Sequence, residues 1–288
     1  MRNGLIAALF SLALAAGVAS AATPTGNLVL IGGGSKPAAA MTKFLELAGG
    51  RDAAIIVFPT ASEAADTPAY YRDLFGKELG CSDVFVAPVH ERADALDEAL
   101  AARVAAAGGI FFGGGDQRRI TAALNGTPVG EAVHTAFAEG AVVGGTSAGT
   151  ACQSPLMITG DGDFTVLTAG NVVLTEGLGL FRGVIVDQHF VARRRANRLL
   201  SVVMEHPDLV GVGVDEGTAI WVRPDNTFLV LGDGWVVVFD ARKATVRRGA
   251  DLATGAALGV HGMLTHVLLP GETFDLERGE ATASDAAP

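Results

Sequence analysis

Apolar residues in the first half of the chain fall into short continuous runs, separated by stretches with helical spacing. Asn27–Ile31, Ala53–Phe58, Asp83–Ala87 and Ile110–Phe112 read as strands, and Ala141–Val143 leads a further one into Gly144-Gly145-Thr146-Ser147. Between them Pro37–Leu47, Thr67–Leu79, Ala93–Ala107 and Val129–Glu139 read as helices, with a shorter one over Ile120–Leu124. Apolar strands alternating with helices predict an α/β fold, a mostly parallel sheet with helices on both faces. Ligands on such sheets sit beyond the carboxyl ends of the strands, so the loops after each strand carry the information.

The second half changes character. Val184–Val186, Val212–Val214, Thr218–Val222, Phe228–Leu231, Trp235–Phe239 and Met263–Leu269 read as short strands, expected to extend the sheet in antiparallel fashion. Gly232-Asp233-Gly234 predicts a hairpin between two of them. Residues 1–21 read as a secretory leader: Arg2 near the start, an apolar run from Leu5 to Val18, then Ala19-Ser20-Ala21 as a cleavage site. A single α/β domain is expected over 22–278 and a frayed tail over 279–288. The leader predicts a periplasmic or secreted protein with no membrane association after cleavage.

Lys and Arg number 21 against 31 Asp and Glu, a net charge of −10, which argues against a nucleic-acid partner. Two cysteines, Cys81 and Cys152, are too few for a zinc cluster or a disulfide framework and are expected as free thiols. No metal or cofactor is expected. A homodimer is possible for a sheet with apolar edges.

Gly145-Thr146-Ser147-Ala148-Gly149 is the sharpest chemical signal. It matches Gly-x-Ser-x-Gly after an apolar strand and before a helix, the setting of a nucleophile elbow. Small flanking residues let the backbone take a strained turn that exposes the serine oxygen, and following N–H groups can hold an oxyanion. A serine nucleophile needs a base. His189, in Val186-Asp187-Gln188-His189-Phe190, follows an apolar strand and is expected at the same sheet edge as Ser147. His261 and His266 compete with it on chain order; His134 and His206 fall in helical surroundings, and His90 completes the set. After His189 come four arginines in six residues, Arg193, Arg194, Arg195 and Arg198. Beside a catalytic histidine they read as a carboxylate clamp, since guanidinium binds carboxylate bidentately. In a helix Arg194 and Arg198 would share a face. Gly113-Gly114-Gly115-Asp116-Gln117 lacks the Lys-Ser/Thr of a phosphate loop and suits close backbone approach to a substrate, with Gln117 offering an amide.

Taken together, GGTSAG, GGGDQ, VDQHF with its arginine-rich continuation, and GVGVDEGTAI resemble the cyanophycinase branch of the S51 serine peptidases, with peptidase E as a more distant relative. The resemblance runs from about Asn27 to Leu231. It implies a fold like the class I glutamine amidotransferase domain, with serine in place of that group's cysteine. It implies Ser147 as nucleophile and His189 as base. The acidic partner is read as Glu216, which ends a strand and suits orienting an imidazole; Asp161 and Asp163, which would correspond to the dipeptidase branch, are the alternatives. Gln117, Asp187, Gln188, Arg193, Arg195 and Arg198 fall on positions that the resemblance assigns to a substrate pocket. The implied substrate is a peptide or cyanophycin, a poly-aspartate backbone carrying arginine on each side-chain carboxyl. Exopeptidase hydrolysis would release β-Asp-Arg dipeptides.

Overall fold

A computed structural model describes residues 26–163, 165–248 and 255–283. The leader reading lies outside the described residues, as does the tail beyond residue 283. The parallel core is β1 (Leu28–Ile31), β2 (Ala54–Phe58), β3 (Asp83–Val86), β4 (Gly109–Phe112) and β5 (Val142–Thr146). The helices that connect and cover it are α1 (Ala38–Ala48), α2 (Thr67–Asp73), α3 (Glu98–Ala105), α4 (Gln117–Leu124) and α5 (Pro128–Ala138). After the short helix α6 (Ala148–Ala151) come β6 (Leu156–Ile158), β7 (Leu174–Glu176), β8 (Val184–Gln188), the last helix α7 (Ala196–Glu205) and β9 (Val210–Val214). The remaining strands are β10 (Thr218–Val222), β11 (Thr227–Gly232), β12 (Val236–Asp240), β13 (Thr245–Arg248), β14 (Leu258–His261), β15 (Leu264–Leu268), β16 (Thr273–Asp275) and β17 (Glu280–Thr282).

Nine strands form the main sheet in the order β17-β16-β11-β10-β1-β5-β4-β2-β3. Its two faces follow from alternation along each strand. Val29, Ile31, Ile55, Val57 and Phe111 face α1 and α2, where Phe44, Tyr71 and Phe75 fill the layer. Leu28, Leu30, Ile56, Phe58, Ile110 and Phe112 face the opposite core. Only part of that second face is covered by helices. The rest meets a four-stranded sheet, ordered β15-β12-β9-β8. Val184, Val186, Val210, Val212, Val214, Val236 and Val238 point from it into the shared core, while Ile185 and Phe239 turn outward to pack with Leu199, Val202 and Val203 of α7. The architecture is α/β, with a sheet-on-sheet contact where helices alone were expected.

Several local expectations are corrected by hydrogen bonding. Ala93–Ala107 is not one helix: Asp97 accepts from the N–H groups of Ala99 and Leu100, so α3 restarts there after a short 3-10 turn. Thr67–Leu79 widens after Asp73 into a π-turn closed by Leu79 N–H on the Leu74 carbonyl at 3.0 Å. Gly232-Asp233-Gly234 is not a hairpin, because β11 belongs to the main sheet and β12 to the second one. The hairpin lies one connection earlier, between β10 and β11, where Asn226 takes φ 61°. Residues 280–282 are a strand on β16 rather than frayed chain: the Asp275 carboxylate accepts from the N–H groups of Glu277 and Arg278 and fixes the turn that returns them. Cys81 and Cys152 are free, buried and divided between the two core layers. Among the described residues no helix is long and apolar enough to cross a membrane.

Candidate active site

Ser147 follows β5 at the carboxyl edge of the main sheet with φ 54° and ψ −112°, a conformation that costs about 1–3 kcal/mol for a residue other than glycine. The turn is held through backbone carbonyls. The Ser147 N–H donates to the Ile31 carbonyl at 3.0 Å, and the Thr150 hydroxyl donates to the carbonyls of Ile31 and Gly145. The Gly113–Gly115 turn after β4 brings Gly114 against Ser147. That turn rests in its own right on Tyr71 of α2, a phenol only 4% exposed. Gly114 makes a backbone hydrogen bond to the Tyr71 phenol, whose pKa burial pushes well above its usual range.

His189 arrives from the second sheet, not from the sheet edge that carries Ser147. It follows β8, takes φ 50°, and donates its N–H to the Gly32 carbonyl at 2.6 Å, which ties it to the end of β1. Its Nε2 lies 2.8 Å from Ser147 Oγ, and its Nδ1 is hydrogen-bonded to Glu216 Oε1. A carboxylate only accepts, so Nδ1 carries the proton and Nε2 accepts from the serine hydroxyl. Glu216 sits in the turn between β9 and β10, where the chain passes from one sheet to the other. Gly33 must lack a side chain: at φ 112° a Cβ there would stand 2.2 Å from His189 Cε1. Burial lowers the His189 pKa below its usual value; the Glu216 hydrogen bond opposes this and the Arg193 charge adds to it. The imidazole is therefore neutral at neutral pH and able to take a proton.

The remaining candidates divide. Asp161 is paired with Arg118 at 3.0 Å, and Asp163 bonds Thr165; the carboxylate on the imidazole is that of Glu216. His261 and His266 lie on β14 and β15, away from the serine's only imidazole partner among the described residues. Asp187 and Arg198 are each 1% exposed and paired with one another through a two-point guanidinium–carboxylate contact. Arg195 donates to the Gln188 carbonyl at 2.6 Å and to its side-chain oxygen at 2.7 Å. Burial, with Arg198 next to it, pushes the Arg195 pKa down to about 10, which still leaves it cationic. Gln117 spends its amide on the carbonyls of Ile158 and Thr159. Of the expected pocket residues only Arg193 is largely exposed, with Nε 3.9 Å from Glu216.

The expected helical face shared by Arg194 and Arg198 does not form. α7 begins at Ala196, and Arg194 precedes it in a turn at φ 54°. Arg198 is buried because it lies on the helix stripe of Leu199, Val202 and Val203. Two residues that bear on the site were not singled out from sequence. Tyr71 looks like any member of the apolar stripe Tyr71, Leu74, Phe75. Asp215 is masked by its neighbour Glu216, yet it accepts from the N–H groups of Val191 and Ala192 and fixes the turn after His189.

The family described as Peptidase family S51 matches residues 28–230. Cyanophycinase of Synechococcus elongatus is 38% identical over 238 residues, covering 82% of this chain and 74% of its own. Those of Trichormus variabilis and Geminocystis herdmanii are 36% and 34% identical, covering 81% and 82% of this chain and 78% and 87% of their own. Among solved structures, a peptidase from an acI-B1 Actinobacterium shares the fold at TM-score 0.65 and 23% identity, over 88% of this chain and 98% of that one. A peptidase E-type protein from Listeria monocytogenes EGD-e gives TM-score 0.50 at 16% identity, over 72% and 98%. Matched over residues 28–230 and by relatives at 34–38% identity, the chain belongs to peptidase family S51, a family of serine-type peptidases.

Proposed function

We propose that this peptidase degrades cyanophycin, releasing β-Asp-Arg dipeptides by acyl transfer through Ser147, His189 and Glu216. The observation that carries the reading is the continuous line from Ser147 Oγ to His189 Nε2 and from Nδ1 to Glu216, built on a strained elbow in a chain whose curated relatives are cyanophycinases. Ser147 gives its proton to Nε2 as Oγ attacks the backbone carbonyl carbon. The Ala148 N–H, next after the nucleophile, receives the oxyanion. The imidazolium, stabilised by Glu216, returns the proton to the departing amine. Water then attacks the acyl-enzyme with His189 again as base. The apolar leader supports action outside the cytoplasm.

The test is mass spectrometry of soluble products after the protein is incubated with purified cyanophycin. Wild type is expected to release β-Asp-Arg, and Ser147→Ala to lose at least about 10³-fold in rate while keeping its circular dichroism. Release of aspartate from short Asp-X peptides without attack on the polymer would move the substrate to aspartyl dipeptides. Equal activity of Ser147→Ala would remove the mechanism.

A further inference from the structure

A groove of about 490 Å³ lies between α4 and the β6–β7 hairpin, outside the Ser147 constellation. Arg118, Thr121 and Asn125 line one wall, and Asp161, Val173 and Glu176 the other. It begins where the active-site turn ends. A Cβ on Gly114 would stand 3.4 Å from Ser147 Cβ, and Gln117, three residues on, is bonded to the carbonyls of Ile158 and Thr159 at the end of β6.

The second wall is a strand edge with no partner strand among the described residues, because β6 and β7 form a two-stranded sheet. The ladder decides which groups face outward. Thr159 N–H donates to the Val173 carbonyl and Gly177 N–H to the Pro155 carbonyl, so Val173 and Thr175 turn their main-chain groups toward β6, while the Gly177 carbonyl accepts from the Asn125 side chain at one end of the groove. By alternation, Leu174 and Glu176 turn theirs to the open edge. Such an edge accepts an extended peptide as an added strand. Val173 offers an apolar contact beside it, 48% exposed.

The charges match one kind of chain. The Arg118 guanidinium is shared between Asp116 at 2.8 Å and Asp161 at 3.0 Å and still leaves its side chain 52% exposed. Glu176 is exposed and has no cationic partner among the described residues. The groove thus offers carboxylate and guanidinium side by side, with carboxylate in excess. An acidic peptide without cations would be repelled. A peptide whose every arm carries both a guanidinium and a carboxylate would be matched.

We propose that this groove is a polymer-docking site that holds the part of the substrate beyond the bond being cut. The main chain pairs with the edge of β7, arm guanidiniums meet Glu176 and Asp161, and arm carboxylates meet Arg118. The proposal rests on the cyanophycin reading for the identity of the polymer. Its consequence is discrimination by length, since a substrate too short to reach the groove gains nothing from it.

Glu176→Arg tests it, with rates compared on cyanophycin and on an oligomer of two β-Asp-Arg units. An exposed ion pair replaced by a repulsion predicts a KM about fivefold higher on the polymer, with kcat unchanged and no change on the oligomer. Equal losses on both substrates, or none on either, would overturn the docking site. If wild type cuts neither substrate, the functional reading has failed on separate grounds. Co-sedimentation of cyanophycin with Ser147→Ala and with Ser147→Ala/Glu176→Arg then still decides: weaker retention of the double variant supports the groove, and equal retention overturns it.

Discussion

Two regions meet where Ser147 Oγ lies against His189 Nε2, and they hold their residues by different means. On the serine side the backbone acts. Ser147 is fixed by the Ile31 carbonyl, by a turn of small residues and by the Gly113–Gly115 loop pressed against it. On the histidine side buried side chains act. Asp187 clasps Arg198 beneath the end of β8, Arg195 clamps Gln188, and Asp215 caps the amides of Val191 and Ala192 just past His189. Steric exclusion positions the nucleophile, and desolvated charge positions the base. The first arrangement fails when an atom is added; the second, which also needs Gly33 bare beside the imidazole, fails in addition when a partner atom is removed.

The largest effect is expected where a buried charge loses its partner. Arg198→Ala removes the two-point partner of Asp187 and leaves it in the interior with only Arg195, 3.8 Å away, and the Gln188 N–H; it should cost about 3 kcal/mol of stability, read from the midpoint of urea unfolding. Asp187→Leu combined with Arg198→Met keeps the volume and removes both charges, so it should recover much of that loss. A single variant as stable as wild type would show that the pair is not part of what holds the histidine side.

Adding one atom on the serine side tests the other half. A Cβ on Gly145 would lie 2.2 Å from the Gly149 carbonyl oxygen, a backbone atom that cannot swing aside. Gly145→Ala must open the elbow, and a displacement of even about 1 Å at a nucleophile costs on the order of 10²-fold in rate. The check is kcat against thermal melting: a large fall in kcat with a folded protein is expected, and an unchanged kcat would separate elbow shape from turnover.

The comparison also explains what could be read from the chain. The parallel core was legible because strands covered on both faces are continuous apolar runs, as in Ala53–Phe58 and Ile110–Phe112. Ser147 stood out because an elbow demands small residues in sequence, a local signature. The histidine side has no such signature, since its order comes from partners far apart or out of register. Asp187 and Arg198 are eleven residues apart, and their pairing follows only from the way α7 turns Arg198 inward. The second sheet was hidden as well: short Val-rich strands read alike whether they extend a sheet or stack on one. Gly232-Asp233-Gly234 carried the turn signal but marks a passage between sheets, a distinction that lies in long-range pairing.

The smallest effect is the most selective, because it reads the histidine side without altering its packing. Burial holds the His189 pKa below the usual histidine value, and the Arg193 guanidinium, 3.9 Å from Glu216, lowers it further. Neutral imidazole is the working form, so kcat/KM should fall with decreasing pH along a limb below about 6.5. The stability sign agrees. The unfolded chain takes up the proton more readily than the folded one, so acidification through the same range destabilises the fold. Arg193→Gln removes a cation from an exposed position and leaves both sheets intact. The acid limb should then move to higher pH, by the small amount expected for a solvent-screened charge. The displacement should shrink in high salt. A limb that stays in place, or moves to lower pH, would mean that Arg193 does not act on the imidazole, and that the charges positioning the base are confined to its buried partners.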